Sequence, residues 1–219
     1  LQFLPLAFTA SLYPAMSSYW QNNKQQLLIS FERAMNYLII ISLPIIIGTI
    51  VLADKIILLF SEGYNGALWP LKISIVSLFF IFINFPIGSL LNACDKQQKN
   101  TLNMGVVTVV SIILNLLLIP HFKAIGASLT VLITNFLMFI LGMYWVKKII
   151  PYRSGKNLKM FAKVLLTSSV MGGIIFLGKN YLNVFVATFI GAVIYFTFLL
   201  ILGGLKKADF ISIRQSFKR

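Results

Sequence analysis

The chain is predicted to be an all-α integral membrane protein with seven transmembrane helices. Three observations carry that prediction. First, 58% of its 219 residues are apolar and only 11% are charged, against about 25% charged in a soluble domain; mean hydropathy is +0.89. Second, the apolar residues gather into seven runs of about 16–23 residues, the length a helix needs to cross a ~30 Å hydrocarbon core. Third, the charges fall between the runs, with a strong two-sided bias.

The first run is Phe3 to Ser18 and the second is Asn36 to Ala53. Leu71 to Ala93 is the third. Leu102 to Ile119 and Ala124 to Val146 follow, separated by Pro120 and the tripeptide His121 to Lys123. Proline lacks an N–H and disfavours helix in the residue before it, so Pro120 is expected to stop the fourth helix and leave a tight antiparallel hairpin. Phe161 to Leu177 and Val184 to Leu205 complete the set. Pro14, Pro44 and Pro86 lie inside runs, where membrane helices tolerate them if neighbours satisfy the freed carbonyls. Tyr19, Trp20, Tyr64, Trp69, Tyr144, Trp145, Tyr152 and Tyr181 fall near run ends, as an aromatic belt requires. Leu1 opens the chain inside an apolar segment, without an initiator Met or a signal-peptide n-region. The chain is therefore expected to be a fragment lacking its N-terminal part.

Orientation follows from the loops. Taken alternately, the segments 19–35, 94–101, 147–163 and 206–219 hold fifteen of the 19 lysines and arginines; Lys55, Lys72, Lys123 and Lys179 fall on the other side. The positive-inside rule then places the basic loop and the tail in the cytoplasm. Between the second and third runs, Ile56 to Phe60 should extend a helix, and Ser61 to Gly66 should turn, since it carries Gly63, Asn65 and Gly66. The tail carries Phe210, Ile213 and Phe217 on one helical face among basic residues, the pattern of a helix lying on an anionic leaflet.

Several functions are excluded. The formal charge of +14 forms no single basic face, so nucleic acid is not the expected partner. The five acids, Glu32, Asp54, Glu62, Asp95 and Asp209, lie in loops or at run ends and pair with no second acid inside a span. Neither paired-carboxylate catalysis nor a buried proton relay is written there. His121 reads as a solvated loop residue, and the single Cys94 gives no disulfide or metal framework. With no catalytic motif, the chain is not expected to be an enzyme or to hold a cofactor or metal.

What remains is polarity inside the spans. Asn84, Asn92, Asn103, Asn115 and Asn135, with Thr130 and Thr134, occupy consecutive runs. Amides facing lipid are costly, so they should face other helices or a wet cavity. Only Lys72 and Lys163 place charge within runs, near an end, where snorkelling is the bland reading. Small residues recur in the last two runs, among them Gly172, Gly173 and Gly191. They either let helices approach closely or leave a groove.

The sequences Leu12-Tyr13-Pro14-Ala15-Met16-Ser17, Leu58-Leu59-Phe60-Ser61-Glu62-Gly63-Tyr64, Pro86-Ile87-Gly88-Ser89-Leu90-Leu91-Asn92-Ala93 and Leu114-Asn115-Leu116-Leu117-Leu118-Ile119-Pro120, with Gly126-Ala127 after it, form a pattern. It resembles the C-terminal half of bacterial polysaccharide-export flippases, relatives of the multidrug extrusion transporters and the lipid II flippase. One departure is Lys123, where the family usually carries Gly; no functional consequence is expected of it. The resemblance implies the C-terminal part of a fourteen-helix, two-lobe, alternating-access transporter. Residues 1–150 would be the C-terminal lobe without its first helix, and residues 151–219 a basic cytoplasmic loop, two extra lipid-facing spans and the basic tail. The implied activity is movement of undecaprenyl-diphosphate-linked oligosaccharide from the inner to the outer leaflet for O-antigen, capsule or exopolysaccharide. The implied location is the bacterial inner membrane, and the implied partners are that substrate, membrane lipids and the polysaccharide polymerase machinery. Substrate contacts are expected at Lys72, Lys163, Asn84, Asn92 and Asn115. A cation can meet the diphosphate, and Gly172, Gly173 and Gly191 would floor a groove for the lipid tail. The alternatives are a drug or ion antiporter of the same superfamily and a membrane assembly protein without transport. A membrane glycosyltransferase or polymerase is opposed by the absence of a long loop carrying catalytic acids.

Overall fold

In the computed structural model, residues 2–59, 66–152 and 155–203 are described. They form six helices: α1 (Phe3–Asn22), α2 (Lys24–Leu58), α3 (Leu68–Ala93), α4 (Gln97–Ile149), α5 (Gly155–Gly178) and α6 (Val184–Ile201). Five of them, α2 to α6, are long and apolar enough to cross a membrane. α1 is the exception, broken in its hydropathy by Thr9, Ser11, Pro14, Ser17 and Ser18. The chain is thus an all-helical multi-pass membrane protein, but the expected seven spans are not found as seven separate helices. The amphipathic tail and most of the turn at 61–66 lie outside the described residues.

The largest difference concerns α4, whose 53 residues would reach about 80 Å as a straight rod, more than twice a hydrocarbon core. It is not straight. Lys123 has φ 50° and ψ −126°, a non-helical geometry between two helical arms. The arms fold back on each other. A β-carbon on Gly126 would sit 2.4 Å from the Leu118 carbonyl oxygen, and the Trp145 indole N–H donates to Asn103 Oδ1 at 3.3 Å. Residues 103 and 145 are equidistant from 124, so the arms run antiparallel. Pro120 does not stop the first arm, which remains helical through Phe122. Pro120 removes one N–H bond, to the Leu116 carbonyl, without ending the helix, and the break falls instead at Lys123.

The segment from Tyr19 to Met35, expected as a loop, is helical except at Asn23. Asn23 closes α1 by donating its N–H to the Tyr19 carbonyl at 2.8 Å. It then caps α2, its side chain accepting the Gln26 N–H at 3.1 Å. Leu27, Phe31, Ala34, Met35 and Leu38 recur at helical spacing and are all buried, so packing holds this extension where hydropathy alone gave no signal.

α2 is the hub. It packs against α1, α3, α5 and α6, whereas α4 packs on α3. The main core gathers Leu27, Phe31, Leu43 and Leu52 of α2 with Ile87, Leu90 and Leu91 of α3, Val164 and Met171 of α5 and Leu199 of α6. The two ends of α2 are clasped to α5. At one end Asn157 donates to the Glu32 carbonyl at 3.1 Å and to Asn36 Oδ1 at 2.9 Å. At the other, Lys179 meets Asp54 at 2.8 Å, while Lys55 donates to the carbonyls of Lys179 and Leu182.

Candidate functional site

Two hollows of opposite character result. The first, about 710 Å³, opens between α1, α3 and both arms of α4. α3 supplies Asn84, Gly88 and Asn92 to it, which stand one turn apart on a single face. Asn100 enters from the start of α4 and Asn135 from its second arm. None of the described residues lining this cleft is charged.

The amides are oriented by their neighbours. Asn84 donates its Nδ2 to the Asn135 carbonyl at 3.1 Å, and Asn100 donates its Nδ2 to Asn92 Oδ1 at 3.2 Å. Their remaining oxygens, Asn84 Oδ1 and Asn100 Oδ1, are buried without a partner, as is Ser89 Oγ nearby. Buried polar atoms are rarely left unpaired. These acceptors are closed off by their neighbours in this conformation and would have to turn toward the cleft to take hydroxyl or N–H donors.

The second hollow, about 390 Å³, is an apolar groove between α2, α5 and α6, lined by Ile41, Ile45, Leu52, Met171, Gly191 and Phe196 among others. Its wall contains a repaired proline break. Pro44 removes the N–H that would bond the Ile40 carbonyl. The Tyr195 hydroxyl, reaching across from α6, donates to that carbonyl at 2.7 Å.

The expected site residues separate. Asn84 and Asn92 line the cleft. Asn115 does not; it donates to Ser111 Oγ at 3.4 Å along its own helix. Lys72 lies against the Trp69 ring, 5.5 Å from its centroid, and Lys163 donates to the Leu202 carbonyl at 3.0 Å. Neither lysine lines the cleft. Of the three glycines expected at a groove, only Gly191 lines it, and it is also a packing contact, where a β-carbon would come within 2.5 Å of Ile175 Cδ1. Gly172 is a packing contact, where a β-carbon would come within 2.6 Å of Ile47 Cγ2, and Gly173 meets nothing within 4 Å. Ser89 and Asn100 were not anticipated. The spacing of Asn84, Gly88 and Asn92 is a signal that could have found the face on which Ser89 borders, whereas Asn100 sat in a segment expected to be a loop.

No family model matches the chain. It is 25% identical over 218 residues to an uncharacterized membrane protein of Methanocaldococcus jannaschii, with 98% of this chain and 43% of the relative aligned. Its fold is similar to that of the lipid II flippase MurJ in an inward closed conformation, with a TM-score of 0.75 and 21% identity. That match covers 91% of this chain and 44% of the other. The chain thus spans less than half the length of either protein, and the likeness to the flippase is one of fold.

Proposed function

We propose that this chain works in a flippase that carries undecaprenyl-diphosphate-linked oligosaccharide from the inner to the outer leaflet for surface polysaccharide synthesis. The observation that carries the reading is the pairing of an uncharged, amide-lined cleft with a separate apolar groove in one helical membrane fold. A sugar headgroup cannot cross hydrocarbon unaided, because each hydroxyl loses its water partners. The cleft receives that headgroup as one wall of the transport cavity, with Asn84, Asn92 and Asn100 holding its hydroxyls. The groove beside Gly191 takes the polyprenyl tail. Lys72 and Lys163 anchor helix ends in this reading and leave the diphosphate to cations outside the cleft. Residues 1–150 form the transporting lobe, and residues 151–219 supply the tail-binding spans, with the basic segments on the cytoplasmic side.

The test is translocation by the reconstituted protein. Liposomes loaded with a fluorescent lipid-linked oligosaccharide should expose it to an external quencher faster than protein-free liposomes. Changing Asn84 and Asn100 together to Leu should slow that exposure about tenfold or more, because unpaired sugar hydroxyls cost about 1–3 kcal/mol each. Exposure no faster than in empty liposomes would remove the flippase reading.

A further inference from the structure

A third feature lies outside both hollows, at the open end of the α4 hairpin. Trp145 is fixed there by its N–H donation to Asn103, which is itself buried. Two ammonium groups share the held indole. Lys99, from the first arm, lies 5.0 Å from the ring centroid, and Lys148, from the second, lies 5.1 Å from it. Lys148 also sits 4.2 Å from the Tyr144 ring centroid and donates to its hydroxyl at 2.6 Å. Among the described residues, neither Lys99 nor Lys148 is paired with a carboxylate. Two like charges brought onto one ring without a counter-ion make a standing demand for an anion.

The helix face below says which anion. Phe139, Ile140, Met143, Tyr144, Lys147 and Lys148 line a shallow groove of about 560 Å³ on the second arm of α4. They recur at i, i+4 and i+8, so one face changes from apolar through aromatic to cationic over about 12 Å. A free phosphate would use only the cationic end. A phospholipid uses the whole face, with an acyl chain along Phe139 and Met143 and its phosphate at the lysines.

We propose that this face is a binding site for an anionic phospholipid, clamped by Lys99, Lys147 and Lys148 around Trp145. Because Lys99 and Lys148 come from opposite arms, the bound headgroup ties the open end of the hairpin together. This site is independent of the flippase reading and needs no transported substrate.

The test uses Trp145 as the reporter. With Trp20→Phe and Trp69→Phe, Trp145 is the only indole, and brominated lipids quench it on contact. In mixed bilayers, brominated phosphatidylglycerol should compete for Trp145 at least about fivefold better than brominated phosphatidylcholine, since each interfacial lysine is worth about fivefold. In the variant carrying Lys99→Gln, Lys147→Gln and Lys148→Gln, all exposed positions, the two lipids should quench equally. Added inorganic phosphate should not relieve the quenching. Lipids retained by the protein with its three tryptophans intact, counted by native mass spectrometry, should show the same preference and the same loss. Equal quenching in the starting protein, a preference that survives the three substitutions, or competition by phosphate alone would each overturn the proposal.

Discussion

Replacing Lys123 by glycine should stabilise the protein. Lys123 turns the α4 hairpin with φ 50° and ψ −126°, close to the first central position of a type II′ turn, which favours glycine. A side chain held in such a region costs about 1–3 kcal/mol. Glycine removes that strain but adds about 0.5–1 kcal/mol of unfolded-state entropy. At mid-range the net gain is about 1 kcal/mol, which raises the midpoint of thermal unfolding by about 2–4 °C for a chain of this size. The assay is detergent-solubilised thermal aggregation of Lys123→Gly beside Lys123→Ala. Alanine removes the charge but keeps the β-carbon, so it should gain little. An unchanged or lower midpoint for Lys123→Gly, or an equal rise for Lys123→Ala, would refute the strain argument. The resemblance marked Lys123 as a departure with no functional consequence expected; the consequence its backbone geometry carries is one for stability.

The same turn predicts that Gly126→Ala costs about 2–3 kcal/mol, since the new β-carbon meets the Leu118 carbonyl oxygen at 2.4 Å; unfolding midpoints will show it. Tyr195→Phe should destabilise by about 1–3 kcal/mol by leaving the Ile40 carbonyl unpaired beside Pro44, whereas a loss below 0.5 kcal/mol would mean water replaces the hydroxyl. Gly173→Leu should be neutral to stability, whereas Gly172→Leu and Gly191→Leu should both lower the folded amount in the membrane, by displacing Ile47 and Ile175 respectively, as judged by detergent-stable protein. Cys94 should resist thiol reagents at neutral pH until denaturant is added. It is buried, and that burial, with the Asp95 charge behind it, pushes the thiol up to about 11, so the thiolate that reacts is scarce below that pH.

Much of the fold was legible because hydropathy over about 18 residues is set by the bilayer rather than by tertiary contacts. The runs ending at Ala93 and beginning at Val184 match their helix boundaries. The errors arose where packing outranks hydropathy. Lys24 to Met35 is polar enough to look like a loop, yet its buried face makes it helix. Pro120 looked like a stop because proline removes a helix hydrogen bond, but the loss of one bond did not end this arm, which continues through Phe122. For the cleft, Asn84 and Asn92 were visible in the sequence as amides too costly to face lipid. Asn100 was not, since its burial depends on the turn at Cys94 to Lys96 bringing α4 back against α3. Lys72 and Lys163 stand out in sequence as charges near span ends, with substrate contact and snorkelling both open; in the structure a long flexible stem lets one reach an aromatic ring and the other a helix-end carbonyl.

The central claim is that headgroup and tail occupy separate hollows, and site-resolved photocrosslinking tests it most directly. A lipid-linked oligosaccharide carrying a photoreactive group on its sugar should label cleft residues such as Met104 and Met138. The same lipid carrying the group on its polyprenyl chain should label groove residues such as Met171 and Ala192. Sugar-borne label in the groove, or label from both probes confined to the outer face of α4 around Leu116 and Leu117, would contradict the account.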